Sequence, residues 1–177
     1  MSSGARARPH RIRRTRLILW RITRRVHAAT PLDGEGSRLY GTRWCHPGRP
    51  LASTSSTLSL AVLEYLVHVD PRELPDDLVS IRIAVPDTTR IQTLEAARLP
   101  AAWRSYPAPD ELAAIGDRWL QRGEGLLLAV PSAVIPEEYN VLVNPRHPDI
   151  AGLEIGAPAR FDFDRRFFAR APRRVPS

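Results

Sequence analysis

Residues 57–69 read TLSLAVLEYLVHV, an apolar helix carrying one carboxylate, Glu64. Leu58, Leu60, Ala61, Val62, Leu63, Tyr65, Leu66 and Val67 put apolar side chains on nearly every face, so the pattern predicts a buried helix rather than an amphipathic one. Ser55, Ser56 and Thr57 offer side-chain oxygens to the unpaired amides of its first turn, and Pro71 ends what Val69 and Asp70 finish. A carboxylate in such a helix is strongly unfavourable unless an arginine, a hydroxyl or a ligand satisfies it. Glu64 therefore needs a partner, and the plainest is an ion pair with one of the chain's many arginines.

Upstream, residues 50–53 form a short segment entered through a Pro47-Gly48 turn. Residues 17–22, LILWRI, are rich in strand formers and place Arg21 beside Trp20 in a buried setting. The intervening DGEGSRLY, 33–40, reads as a glycine-bearing loop whose two glycines lack the spacing of a dinucleotide-binding fingerprint. Downstream, 78–85 alternates: Val79, Ile81, Ile83 and Val85 face one way, Ser80, Arg82 and Ala84 the other, as in a half-buried strand. Residues 99–109 are irregular, with Trp103 and Tyr106 expected to pack this loop onto the core. Residues 110–121 carry Leu112, Ile115, Trp119 and Leu120 at helical spacing, acids in the first turn and Gly123 beyond the end. Residues 125–130 and 139–143 read as uncharged buried strands ending at Pro131-Ser132 and Asn144-Pro145, and 153–155 and 160–163 could add edge strands. Strands and helices mix without regular alternation. The expected class is therefore α+β, a single domain with a mixed or antiparallel sheet and a buried helix carrying Glu64.

The chain has 177 residues, enough for one domain with a real core. Its longest apolar run, near 126–130, is far too short to span a membrane. One cysteine, Cys45, makes no internal disulfide, and no paired Cys/His spacing suggests zinc, so a cytoplasmic protein is expected. The net charge of +7 suggests a nucleic-acid binder until it is located. Residues 1–16 hold six arginines and 165–177 hold five, with no acid in either, whereas 17–164 set fifteen arginines against nineteen acids. The expected layout is a basic, solvated and disordered extension over 1–16, a domain over 17–167 and a basic tail over 168–177.

The series WRI at Trp20, GTRW at Gly41, LAVLEYLVH at Leu60, GDRWL at Gly116, VPSAVIPEEYNVLVNPRHP at Val130 and FDFDRRF at Phe161 resembles the RES domain family. Those proteins are toxins of bacterial toxin–antitoxin pairs. The likeness covers roughly residues 19–167 and rests on several separated motifs in one order. It implies a fold similar to ADP-ribosyltransferases and an activity that destroys NAD, as substrate and without cofactor or metal, by hydrolysis or phosphorolysis. It also implies an antitoxin with an Xre-like DNA-binding domain that covers the active site, so that DNA is met only through that partner. The oligomeric state, a homodimer included, stays open.

Nicotinamide leaves NAD as a neutral molecule from a cationic ring, so departure needs no general acid. The transition state is oxocarbenium-like, and a carboxylate near the ribose can stabilise its charge. On the resemblance, Glu64 takes this role, while Arg21 and Arg43 hold the pyrophosphate through planar, bidentate donors and balance the Glu64 charge. Ser132, at a strand end, positions substrate, since no histidine and acid are spaced to make it a nucleophile. Asn140 and Asn144 hold the nicotinamide amide or brace the Ser132 loop, although asparagine before proline is also an ordinary turn former. His68, one turn after Glu64, makes no metal site with it and is read as packing. Two positions depart from the family pattern: Cys45 replaces an asparagine after the Arg-Trp pair, and Ser53 replaces a tyrosine before the helix. Ser53 leaves only a shorter hydroxyl, and Tyr40 could substitute from the glycine loop. These departures motivate an alternative, a catalytically impaired module acting through its antitoxin complex. A further alternative is transfer of ADP-ribose to a macromolecule.

Overall fold

The computed structural model describes residues 16–70 and 73–168. Its strands are β1 (Ile18–Arg24), β2 (Ala52–Ser55), β3 (Leu78–Ala84), β4 (Ile91–Thr93), β5 (Leu127–Pro131), β6 (Tyr139–Val143), β7 (Glu154–Ile155) and β8 (Ala159–Arg160). Its α-helices are α1 (Glu35–Tyr40), α2 (Leu58–Leu66) and α3 (Asp110–Arg122). The strands form one sheet in the order β4-β5-β6-β2-β1-β3-β7, with β8 also paired to β3. Every pairing is antiparallel except β4 with β5. This is the α+β class with the mixed sheet that the sequence pattern predicts.

The alternation of each strand sorts its side chains onto two faces. Leu19, Ile81, Ile83, Val141 and Val143 meet on one, under Leu32 and Leu153. On the other, Leu128, Val130 and Leu142 pack with Trp44, Leu112 and Trp119, which brings α3 onto the sheet. Ile22 and Leu78 pack there with Ala61 and the neighbouring side chains of α2. α3 begins with Asp110 and Glu111 in its first turn and ends at Gly123, whose φ of 65° suits a residue without Cβ. Thr57 caps α2, its Oγ1 accepting from the Leu60 amide at 3.0 Å.

Several elements differ from the expectation. The helix bearing Glu64 is shorter and only half-buried: Leu60 and Ala61 are its buried residues, and Val67 just beyond its end is 59% exposed. It lies across one sheet face, and Phe161 and Phe163 pack against its Leu58, Val62 and Tyr65. The expected glycine loop contains α1, because Asp33 Oδ1 accepts from the Glu35 amide at 3.0 Å. Ser37 Oγ then ties that helix to the Leu51 carbonyl at 2.7 Å. These tertiary and capping bonds outweigh the low helix propensity of two glycines. Ser55, expected as a cap, ends β2 instead. β3 is buried on both faces except at Arg82, because Val79, Ile81 and Ile83 pack in the cluster with Leu32 and Leu153 while Leu78 packs with Ile22 and Ala61. Tyr106 is 89% exposed rather than packed on the core. Arg16, placed in the extension, makes a two-pronged pair with Glu154 at 2.7 and 2.6 Å. The rest of the extension and the tail beyond residue 168 lie outside the described residues.

Candidate active site

β1 and β2 pair at a single register position, Trp20 with Ser55, and then diverge, whereas β1 pairs with β3 along its whole length. The sheet therefore opens between β1 and β2. Arg21 spans the opening and donates from Nη1 to the Ser53 carbonyl at 2.6 Å. A cavity of about 820 Å³ lies there, lined by Trp20, Arg21, Arg43, Ser53, Glu64 and Asn140 among others. That volume falls within the roughly 300–1,000 Å³ typical of small-molecule sites.

Glu64 enters from the last turn of α2. Its Oε1 accepts from Ser132 Oγ at 2.6 Å and from Asn140 Nδ2 at 2.5 Å. Ser132 is fully buried just past β5, and its Oγ also accepts from the Val134 and Ile135 amides at 3.0 and 2.9 Å. With those lone pairs occupied, the hydroxyl hydrogen goes to Glu64. The expected ion pair is replaced by two neutral donors: Glu64 makes no ion pair among the described residues.

The two arginines are held by backbone carbonyls. Arg43 donates from Nη1 to Trp103 O at 2.6 Å and from Nη2 to Ser105 O at 3.2 Å. Burial pushes its pKa down, and the nearby Glu64 charge works against that shift. Burial also lowers the pKa of Arg21, with Asp33 opposing, and the buried Arg21 Nε has no hydrogen-bond partner among the described residues. Trp44, next to Arg43, inserts into the core with its carbonyl against Gly116 of α3, where a Cβ would lie only 1.8 Å from that oxygen.

The other expected residues divide. Ser53 is exposed and lines the cavity, as does Asn140. Asn144, 3% exposed at the far end of β6, is not among the lining residues, and its Oδ1 accepts from the Arg146 amide at 3.0 Å in a turn. Tyr40 ends α1 with 83% of its surface exposed and does not line the cavity, so it supplies no aromatic group there. Cys45 is buried, and burial pushes its thiol pKa up. His68 is exposed and lines the cavity. Arg104 and Tyr106 also line it, from an irregular segment that carries no periodic signal. Among the described residues, no group of three or more His, Cys, Asp or Glu is placed to hold a metal.

The arrangement is a carboxylate held by neutral donors in a cavity that Arg21, Arg43 and Arg104 also line. It suits a ligand that carries phosphate at one end and develops positive charge at the other. The RES domain signature matches residues 18–164. A protein named Toxin Res from Yersinia enterocolitica is 37% identical over 151 residues, covering 85% of this chain and 99% of its own. The Prs ADP-ribosylating toxin of a Sphingobium species is 34% identical over 157 residues, covering 86% and 97%. The crystal structure of the M. tuberculosis MbcT-MbcA toxin-antitoxin complex contains a chain of the same fold, with a TM-score of 0.62 at 16% identity over 83% of this chain and 85% of that one. With the signature spanning nearly every described element and the relatives matched almost end to end, the chain belongs to the RES domain family.

Proposed function

We propose that this chain is the toxin of a bacterial toxin–antitoxin pair and that it cleaves the nicotinamide–ribose bond of NAD. The observation that carries this reading is Glu64, an ionisable side chain presented to an arginine-lined cavity by two neutral donors. Arg21 and Arg43 would engage the pyrophosphate, exchanging carbonyl partners for phosphate oxygens. Glu64 would then face the ribose, where its charge lowers the energy of the oxocarbenium-like transition state as neutral nicotinamide departs. Water or phosphate completes the reaction at the anomeric carbon. The toxin names of the relatives support the biological role, and an antitoxin with an Xre-like DNA-binding domain is the proposed partner.

The test is cellular NAD, measured by mass spectrometry within minutes of inducing the chain alone in a bacterial host, beside Glu64→Gln. NAD should fall in the wild type and hold steady in the variant. Steady NAD with soluble, folded wild-type protein would sink the reading. A second reading, transfer of ADP-ribose to a macromolecule, is favoured by the name of the Sphingobium relative. It requires a covalent ADP-ribose mark on cell protein or nucleic acid, seen in the same samples.

A further inference from the structure

We propose that Ser55 is a positioning residue that acts on Glu64 through Asn140. The inference rests on the reading of Glu64 given above. Ser55 stands opposite Trp20 of β1 on one side and opposite Asn140 of β6 on the other, at the last paired position before the sheet opens. It is 4% exposed, and its Oγ donates to Asn140 Oδ1 at 2.7 Å. Asn140 Nδ2 in turn donates to Glu64 Oε1.

A carboxamide has two ends of nearly equal size, so packing alone does not orient it. The hydroxyl of Ser55 holds the oxygen end and keeps the nitrogen on Glu64. Ser132, whose oxygen is occupied by two backbone amides, can only donate. The hydrogen bonds therefore run in one direction, from Ser55 and Ser132 toward the carboxylate. Both final donors converge on Oε1, so the plane of the carboxylate is set by where Asn140 and Ser132 stand. Without Ser55, Asn140 Oδ1 would be left unpaired in a half-buried site and the amide would tilt or turn to recover a partner. Glu64 would lose a donor and its aim. Its hydroxyl engages Asn140, and the helix that follows is capped by Thr57 instead.

The test uses the full chain as wild type, Ser55→Ala and Ser55→Thr, with two readouts. One is nicotinamide release from NAD, separated into kcat and KM. The other, independent of activity, is solvent exchange of the Asn140 side-chain amide by ¹⁵N NMR. Ser55→Ala is expected to lower kcat about ten-fold, the scale of one lost hydrogen bond to a charged group, with KM within about two-fold. It is also expected to speed amide exchange, and Ser55→Thr, which keeps the donor, should recover both. Unchanged exchange in Ser55→Ala would overturn the proposal, as would a loss of thermal stability alone. If wild type releases no nicotinamide but Ser55→Ala still frees the Asn140 amide, the NAD reading fails and the positioning of Asn140 stands. If nicotinamide is released equally well by Ser55→Ala, the positioning role fails and the NAD reading stands.

Discussion

Glu64 is held by two neutral side chains, Ser132 and Asn140. An arginine in direct contact would cancel the negative charge before positive charge developed on a ribose, whereas Ser132 and Asn140 stabilise the carboxylate and leave its field directed into the cavity. Ser132 does two jobs at once, donating to Glu64 and accepting from the Val134 and Ile135 amides. Ser132→Ala would leave those amides unpaired at a fully buried site, so stability to urea is expected to fall by about 2 kcal/mol. Nicotinamide release should fall further than that loss of folded protein accounts for, and equal losses would remove Ser132 from the site. Glu64 was legible as an anomaly, a carboxylate in an apolar helix. Ser55 was not, because a serine before a helix is also an ordinary cap, and only its register opposite Asn140 distinguishes the two.

The segment carrying Arg43 is held by α3. Trp44 fills the core beside Leu112 and Trp119, and Gly116 admits its carbonyl. His46 then bridges the start and middle of α3, with Nδ1 2.7 Å from Asp117 Oδ2 and Nε2 2.9 Å from Asp110 Oδ1. Both ring nitrogens face carboxylates, so the imidazolium form is favoured and the His46 pKa lies above its ordinary 6.5. A group whose folded pKa is raised stabilises the fold fully below its unfolded value, and that contribution disappears as pH rises through the folded value. The melting temperature of wild type should therefore exceed that of His46→Gln most at pH 6 and by a shrinking margin toward pH 9. A margin constant with pH would mean the bridge carries no charge. The α3 helix itself was plain in the sequence from its apolar spacing and terminal residues. α1 was hidden because its stability comes from Asp33 and from Ser37 reaching Leu51, contacts that glycine content does not report.

One face of the sheet carries most of the core, and Arg21, two residues along β1 from Leu19, shares it and reaches the cavity through the opening. Leu19, 0% exposed, packs with Ile81, Ile83 and Val143 on the face away from α2 and α3. Leu19→Ala is expected to cost about 3 kcal/mol in urea unfolding, as for other buried leucines, and a cost under about 1 kcal/mol would mean that the core closes over the missing side chain. Charge is divided. Residues 17–164 carry more acids than arginines, yet Arg21, Arg43 and Arg104 line the cavity against the single carboxylate of Glu64. The chain's net positive charge thus lies mostly in its terminal segments, while the cavity gathers its own local excess of arginine.

The α+β class, the positions of β1, β3, α3, β5 and β6, and the need of Glu64 for a partner are legible in the residue pattern alone. These depend on periodicity, capping residues and the cost of a charge among apolar neighbours, all properties of nearby residues. The identity of that partner, the absence of Tyr40 and Asn144 from the cavity lining, and the presence there of Arg104, Tyr106 and His68 follow from the folded arrangement. Ser132 and Asn140 lie 68 and 76 residues from Glu64, and Ser55 lies 85 from Asn140. Their meeting follows from strand register and from the opening between β1 and β2, which a shift of one residue would undo by turning each side chain to the other face.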